Sequence, residues 1–153
     1  MFRSLRGLGL VEQRKQLCHG ATVSTQSGNN FIFQNPTAYV YLTTSYANIS
    51  GSQITYEPPS GTTHVEYEFN FRYARHSTHA IMHMKAYIDG TEIVPARLTW
   101  GTKDGVHTAS FKLIISLGSL TSGHAQFSSW TSTKVIKLMG REYGSGNQIQ
   151  IFN

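Results

Sequence analysis

The stretch V-E-Y-E-F-N-F-R-Y, from Val65 to Tyr73, alternates strictly between apolar and polar side chains. An alternation with a period of two is the pattern of a β-strand that buries one face and exposes the other. Valine and the aromatic residues also pack well on a pleated surface. The segment P-P-S-G just before it, Pro58–Gly61, interrupts pairing because proline has no N–H to donate and glycine turns easily. The stretch therefore predicts a central strand that is entered from a tight turn and has one face on a core.

From residue 21 onward the chain reads as short strands separated by turn residues. Val106–Leu117 repeats the alternation, with Phe111 and Leu113 on one face and Ser110 and Lys112 on the other. The other candidate strands are Ala21–Thr25, Phe31–Gln34, Tyr39–Thr43, Ser52–Tyr56, Ala80–Ile88, Thr91–Val94, Arg97–Trp100, Lys134–Tyr143 and Gln148–Phe152. Phe127–Trp130 is a short aromatic segment. About eight to ten short strands among these candidates, with almost no helix, predict an all-β fold, a single-domain antiparallel β-sandwich or jelly roll.

The dipeptide Asp89-Gly90 lies between apolar residues on both sides, which is a strong signal for a two-residue β-hairpin. A turn of this kind needs a positive φ at both central residues, which glycine adopts without strain and asparagine tolerates. We therefore expect Asp89→Asn to be nearly silent, and a β-branched residue in place of Gly90 to destabilise the turn.

Residues 1–16 differ from the rest of the chain. Leu5, Leu8 and Val11 are spaced for one or two amphipathic helical turns, and four of the first fifteen residues are Arg or Lys. The sequence predicts an N-terminal attachment segment, flexible on its own, over residues 1–16 and a jelly-roll domain over residues 17–153.

Composition narrows the classes of partner. Charged residues make up only 14% of the chain and the formal net charge is +5, but the basic residues are not arranged in a stripe. No specific nucleic-acid partner is therefore predicted.

Cys18 is the only cysteine, which excludes an intramolecular disulfide. No apolar run approaches the length needed to cross a membrane. The first residues lack the apolar core of a signal peptide, because Arg3 and Arg6 interrupt it. We expect synthesis in a cytoplasm and no membrane insertion.

Three histidines, His76, His79 and His83, lie close together in the sequence. Metal binding is not predicted, because no carboxylate lies between His76 and Ile88 and because Lys85 would share a strand face with two of the histidines. A subunit contact or a pH-sensing role is the hypothesis for these residues. Neither a metal nor a cofactor is predicted.

Aromatic rings stack on sugar faces and carry a polar edge, so exposed aromatic residues are candidates for glycan binding. Trp100, Trp130 and Tyr46 are the candidates here, although a place in the core or in an interface is the more common outcome for any one aromatic residue. Trp100 stands out because it adjoins Gly101 in a predicted loop.

No arrangement for catalysis is visible. The chain has no G-x-S-x-G motif, and Cys18 with adjacent His19 is a poor nucleophile pair because sequence neighbours rarely orient one another. Glu66 and Glu68 share the outward face of one strand, where we expect them to pair with Lys or Arg on a neighbouring strand. We therefore predict that the protein is not an enzyme.

Four stretches carry a resemblance to a known family: Leu42–Thr63, Val65–Phe71, Ala86–Ile93 and Lys137–Tyr143. Together they resemble structural proteins in viruses of marine microbes, including tailed phages. The resemblance implies a trimeric jelly roll similar to tumour-necrosis-factor domains, in a tail-fibre tip, a decoration protein or a capsid-surface protein. The implied partners are further copies of the chain and other virion proteins.

Three hypotheses follow. The first is a structural protein of the virion surface, homotrimeric, that takes part in host attachment, with a host-surface glycan as a possible ligand. The second is a lectin-like carbohydrate-binding module. The third, a hydrolase, ranks last because no acid, base or nucleophile set appears.

Overall fold

The computed structural model describes residues 2–6, 9–11, 22–24, 30–32, 40–76, 79–119 and 123–152. The described strands are β1 Phe2–Arg6, β2 Gly9–Val11, β3 Thr22–Ser24, β4 Asn30–Ile32, β5 Val40–Tyr41, β6 Ala47–Asn48, β7 Ile54–Tyr56, β8 Thr62–Arg75, β9 Ala80–Ile88, β10 Thr91–Glu92, β11 Leu98–Thr102, β12 Val106–Leu117, β13 Ala125–Phe127, β14 Lys134–Glu142 and β15 Ile149–Phe152. A short 3-10 helix, Val94–Ala96, joins β10 to β11. Within these ranges no helix has the length and apolar character required to span a membrane.

The first sheet is organised around β8. Its longest pairing is antiparallel with β12, from Val106 opposite Ala74 to Ser116 opposite His64. On the other side of β8, β1 pairs with the first half of the strand and β15 with the second half. The sheet is extended by β2 beside β1, β5 beside β15 and β13 beside β12.

The second sheet is organised around β9 and β14, which pair antiparallel from Ile136 opposite Ile88 to Glu142 opposite Met82. β10 and β11 lie on the other side of β9, and β6 and β7 pair with the far side of β14. β3 and β4 form a separate two-stranded ribbon.

The core lies between the inner faces of the two sheets, as two amphipathic sheets require. Its fully buried large side chains come from β8, β9, β12, β14 and β15 and from the turn after β6: Ile49, Val65, Met82, Met84, Ile88, Phe111, Leu113, Ile115, Ile136, Leu138, Ile149 and Ile151. The all-β sandwich predicted from the sequence is confirmed. Val65, Tyr67, Phe71 and Tyr73 are buried as their alternation predicts.

One polar bridge crosses this core. The Tyr67 hydroxyl on the first sheet donates a hydrogen bond to the Ser52 carbonyl at 2.5 Å. The Ser52 hydroxyl accepts a hydrogen bond from the Leu138 N–H on the second sheet at 3.1 Å and donates to the Ile49 carbonyl at 2.7 Å. Because these groups are buried, each bond avoids the cost of an unpaired polar group. Burial also raises the pKa of Tyr67 well above its usual range.

The helical interpretation of the N-terminal residues is wrong for the part that the structure describes. Phe2–Arg6 and Gly9–Val11 are strands, and β1 pairs with residues 62–67 of β8. The physical reason is that β15 covers only the second half of that edge of β8, so the first half has unpaired N–H and C=O groups that a further strand satisfies. The attachment role and the boundary at residue 16 stay predictions.

The predicted hairpin is confirmed. Asp89 has a φ of 48° and Gly90 a φ of 79°, and Thr91 lies opposite Ile88 in the return strand. The Asp89 side chain also links the turn to the start of β14. Its carboxylate accepts hydrogen bonds from the Val135 N–H at 2.8 Å and from the Lys134 Nζ at 3.0 Å. The Val135 N–H and then Lys134 hold the pKa of Asp89 below its usual range. Asp89→Asn therefore loses an ion pair, and the expectation that it is silent is not supported.

We predict that Gly90→Ala lowers the free energy of unfolding by about 1–2 kcal/mol, because a Cβ strains the left-handed backbone region. The matched control is Gly146→Ala, since Gly146 is also in a turn but has no positive φ, and an added Cβ there meets no atom within 4 Å. Chemical denaturation of the three proteins measures the difference. Equal midpoints for Gly90→Ala and the control would show that the strain is absent.

Candidate functional site

A groove of about 680 Å³ opens at the end of the sandwich where β8 begins and β12 ends. Three chain segments line it: residues 57–63, residues 117–119 and residues 128–131. Because β8 and β12 are antiparallel neighbours, the start of one and the end of the other lie side by side. The loop before β14 closes the third side.

Local hydrogen bonds fix the walls of this groove. Thr62 donates to the Pro59 carbonyl from both its N–H, at 3.2 Å, and its hydroxyl, at 2.7 Å. Gly61 has a φ of 81°, so the turn between them uses a conformation that glycine adopts easily. On the opposite wall the Gly118 N–H donates to the Phe127 carbonyl at 2.9 Å.

Aromatic side chains support the groove from below. The Trp130 Nε1–H donates to the Tyr56 carbonyl at 3.3 Å, and the indole meets the Tyr56 ring edge-on with centroids 6.1 Å apart. Phe127 packs against the same indole at 5.8 Å. Trp130 is only 5% exposed, so the sequence-based expectation of an exposed ring is corrected. The reason is that its N–H finds a backbone partner inside the sandwich, which allows the large apolar ring to be buried.

The rim of the groove is rich in hydroxyl groups. Ser60, Ser119, Ser128, Ser129 and Thr131 are exposed there. Glu57 contributes a carboxylate that accepts a hydrogen bond from the Thr133 hydroxyl at 3.2 Å. A concave site with an apolar floor and several polar groups at its rim is suited to a small polar ligand. Trp130 is the one residue of this groove that was a candidate from the sequence, and the hydroxyl-bearing loops were not candidates because serine and threonine in turns have many other uses.

Trp100 lies elsewhere and is part of the core packing. It belongs to β11, where its ring meets Phe71 edge-on at 5.6 Å and tilts against Phe111 at 6.3 Å. The expectation of a loop aromatic is therefore corrected, because Gly101 continues the strand opposite Ile81. Trp100 lies opposite the buried Met82, so its side chain is on the face of the sheet that packs on the core.

A second surface of interest covers the outer face of the second sheet. Tyr46 is half-buried, with the Lys85 Nζ 4.4 Å and the Arg141 Cζ 5.2 Å from its ring centroid. Lys85 and Arg97 both pair with the carboxylate of Glu92. We call this surface the cationic face and define it by Tyr46, His83, Lys85, Glu92, Arg97, Thr99, Lys137, Arg141 and Tyr143.

His83 lies on the cationic face, directly opposite Arg141 in the pairing of β9 with β14. Its Nδ1 is 2.8 Å from the Thr99 hydroxyl, and its ring is 5.7 Å from that of Tyr143. Burial, and then the positive charge of Arg141, lower the pKa of His83. The histidine is therefore mostly neutral at neutral pH.

The structure does not gather the three histidines into one site. His76 contacts the Tyr41 ring at 5.1 Å, beside the first sheet, and His79 is exposed immediately before β9. Within the described ranges, no group of three His, Cys, Asp or Glu residues is placed to hold a metal ion.

Glu66 and Glu68 lie on the outer face of the first sheet as expected. Glu66 forms an ion pair with Lys112 at 3.2 Å, and Glu68 accepts a hydrogen bond from the Ser110 hydroxyl at 3.0 Å. Both partners come from β12, the neighbouring strand, so the prediction of cross-strand pairing is confirmed for Glu66.

Comparisons with known proteins show no family. No family model matches the chain, and no curated protein matches it. A solved structure with some similarity is the EclA C-terminal domain, a sugar-binding protein, at 17% identity and a TM-score of 0.41 over 86% of each chain. A similarity at this level indicates no shared function.

We predict that the pKa of Glu92 is about 2 and that it rises towards the ordinary 4.5 in Arg97→Ala, because the Arg97 hydrogen bond is the largest cause of the shift. The depressed pKa means that this carboxylate favours the folded state above pH 4.5 and loses that contribution as the pH falls towards 2. A carbon-detected NMR titration of the Glu92 carboxyl in both proteins measures the two values. An unchanged pKa in Arg97→Ala would contradict the ion pair.

Proposed function

We propose that this protein is a non-catalytic glycan-binding β-sandwich and that the groove is its binding site. The observation that carries the proposal is the composition of the groove, in which five exposed hydroxyl groups surround a floor supported by Trp130. Sugars present hydroxyl groups around an apolar ring, so they are complementary to a site of this kind. The volume of about 680 Å³ is within the usual range for small-ligand sites.

The charges around the groove favour binding over catalysis. Glu57 is the only carboxylate among the described residues that line it. Hydrolysis of a glycosidic bond generally uses two carboxyl groups on either side of the bond. A single carboxylate, already hydrogen-bonded by Thr133, is better suited to accept hydrogen bonds from a sugar.

The first experiment is a glycan array, followed by calorimetry with the best-bound saccharide and the variant Ser129→Trp. We expect the variant to lose at least about tenfold in affinity, because the indole fills the space that the sugar would occupy. Ser145→Trp is the matched control, since Ser145 is exposed in the turn after β14 and lies outside the groove. Thermal melting of all three proteins checks that the variants fold.

The double variant Ser128→Ala/Ser129→Ala removes hydroxyl groups without adding bulk, and we expect a smaller loss of affinity from it. Equal binding by wild type and both groove variants would place the sugar elsewhere. No binding on a broad array would contradict the glycan-binding role itself.

We infer a second candidate role, in a homotrimer on the surface of a virion, from the resemblance of the four sequence stretches. One structural observation favours self-association. Tyr41 and Val106 are 50% and 51% exposed, and they lie in one row across β5, β15, β8 and β12 on the first sheet. His76 adjoins Tyr41, which supports its proposed role in a subunit contact. Gln150 and Ala74 separate the two residues in this row, and large apolar side chains exposed on one sheet face are typical of protein interfaces.

We predict that light scattering at micromolar concentration gives about three times the chain mass of 17.1 kDa. The double variant Tyr41→Ser/Val106→Ser is expected to reduce this to the mass of one chain, because it removes the apolar contact. Leu98→Ser, which alters an exposed apolar residue on the second sheet, is the control. A stable wild-type monomer would contradict the trimer, and mass spectrometry of purified virions tests the location.

A further inference from the structure

The cationic face has an excess of positive charge that its own side chains do not neutralise. Four of the residues that define this face are cations, Lys85, Arg97, Lys137 and Arg141. Glu92 is the one acidic residue among those that define it. Glu92 already pairs with Lys85 and Arg97. In the described part of the chain, Lys137 and Arg141 have no ion pair with any carboxylate.

The neighbouring acidic residue does not compensate Arg141. Glu142 follows it directly in the sequence, but successive residues of a strand point to opposite faces. Glu142 is 5% exposed and faces the inside of the sandwich, whereas Arg141 faces outward opposite His83. No carboxylate of the described residues therefore offsets the charge of Arg141, whose guanidinium has the Tyr46 ring as its neighbour on the outer face.

Two hydrogen-bonding atoms beside this charge are also unused. The Nε of Arg141 and the Nε2 of His83 are shielded from solvent and have no hydrogen-bond partner within the described residues. A buried polar atom without a partner is costly, and a bound ligand is one way in which the cost is removed. Since the two residues are directly opposite each other on adjacent strands, one acceptor group that enters between the side chains covering these atoms could reach both.

We propose that Arg141 and His83 bind a carboxylate of an acidic saccharide on the cationic face, at a site separate from the groove. A guanidinium matches a carboxylate geometrically because it offers parallel N–H donors. The neutral histidine can donate from Nε2 while its Nδ1 accepts from the Thr99 hydroxyl.

The surroundings favour a saccharide over other carboxylates. Tyr143 is 61% exposed and its ring is 5.7 Å from that of His83, so an aromatic surface stands beside the anion site. The Tyr46 ring lies on the other flank, near Arg141. Thr99 is exposed on the adjacent strand, with its hydroxyl beside His83. Aromatic rings and a hydroxyl around a cation suit a sugar ring that carries an acid group.

The test is calorimetry at low salt with oligogalacturonate, its methyl ester and poly-glutamate as probes. We expect the wild type to bind oligogalacturonate and to lose at least about tenfold in affinity for the methyl ester, which lacks the charge. Arg141→Gln is expected to lose at least about tenfold for the acid, and Arg141→Lys to recover only part of it because a lysine lacks the planar donor pair.

Two controls separate this site from general charge and from the groove. Lys103→Gln makes the same change in charge at an exposed turn and is expected to bind the acid as the wild type does. Ser129→Trp blocks the groove and is also expected to keep this binding. Equal losses in Arg141→Gln and Lys103→Gln, or equal affinity for the methyl ester, would overturn the proposal. So would a loss only in Ser129→Trp, or binding of poly-glutamate as tight as that of the saccharide.

Discussion

The pairing of β8 with β12 is the constraint on which the rest of this structure depends. It joins residues that lie far apart in the chain, from Ser116 opposite His64 to Val106 opposite Ala74. The pairing presents the apolar side chains of both strands to the same face, and a register shift of one residue would expose them all. β9 and β14 pack against that face. The hydrogen bonds from Tyr67 to Ser52 and from Leu138 to Ser52 connect the two sheets through the core. Satisfied buried polar bonds of this kind favour one packing over its alternatives.

The groove and the cationic face are both consequences of this scaffold. The groove forms because β8 begins beside the end of β12. The loop that precedes β8 and the loop that follows β12 must therefore meet at one end of the sandwich. The cationic face forms because β9 and β14 bury their apolar residues and so direct Lys85 and Arg141 outward. Rigid strands hold the second surface, whereas loops fixed by turn hydrogen bonds hold the first. Sites on strands keep their geometry with little adjustment, which suits recognition of a charged group.

Much of the fold could be predicted from the sequence, because strand periodicity and turn chemistry are local signals. Val106–Leu117 and Ala80–Ile88 have the predicted bounds, and Asp89-Gly90 forms the predicted turn. The sites could not be predicted in this way, since they depend on which strands become neighbours. Tyr46, His83 and Arg141 meet only through the β9–β14 register, and the burial of Trp130 depends on a carbonyl at Tyr56. The strand at Phe2–Arg6 was missed because pairing with an open edge of β8 overrides a weak helical spacing.

The central claim is that one end of the sandwich binds a glycan. Amide NMR during a titration with the saccharide selected on the array tests it most directly, because each shift change is assigned to a residue. The account predicts changes concentrated in residues 57–63, 117–119 and 128–131, with the amides of β9 and β14 little affected by a neutral sugar. Changes that cluster away from these three segments, or that are absent at saturating sugar, would contradict it.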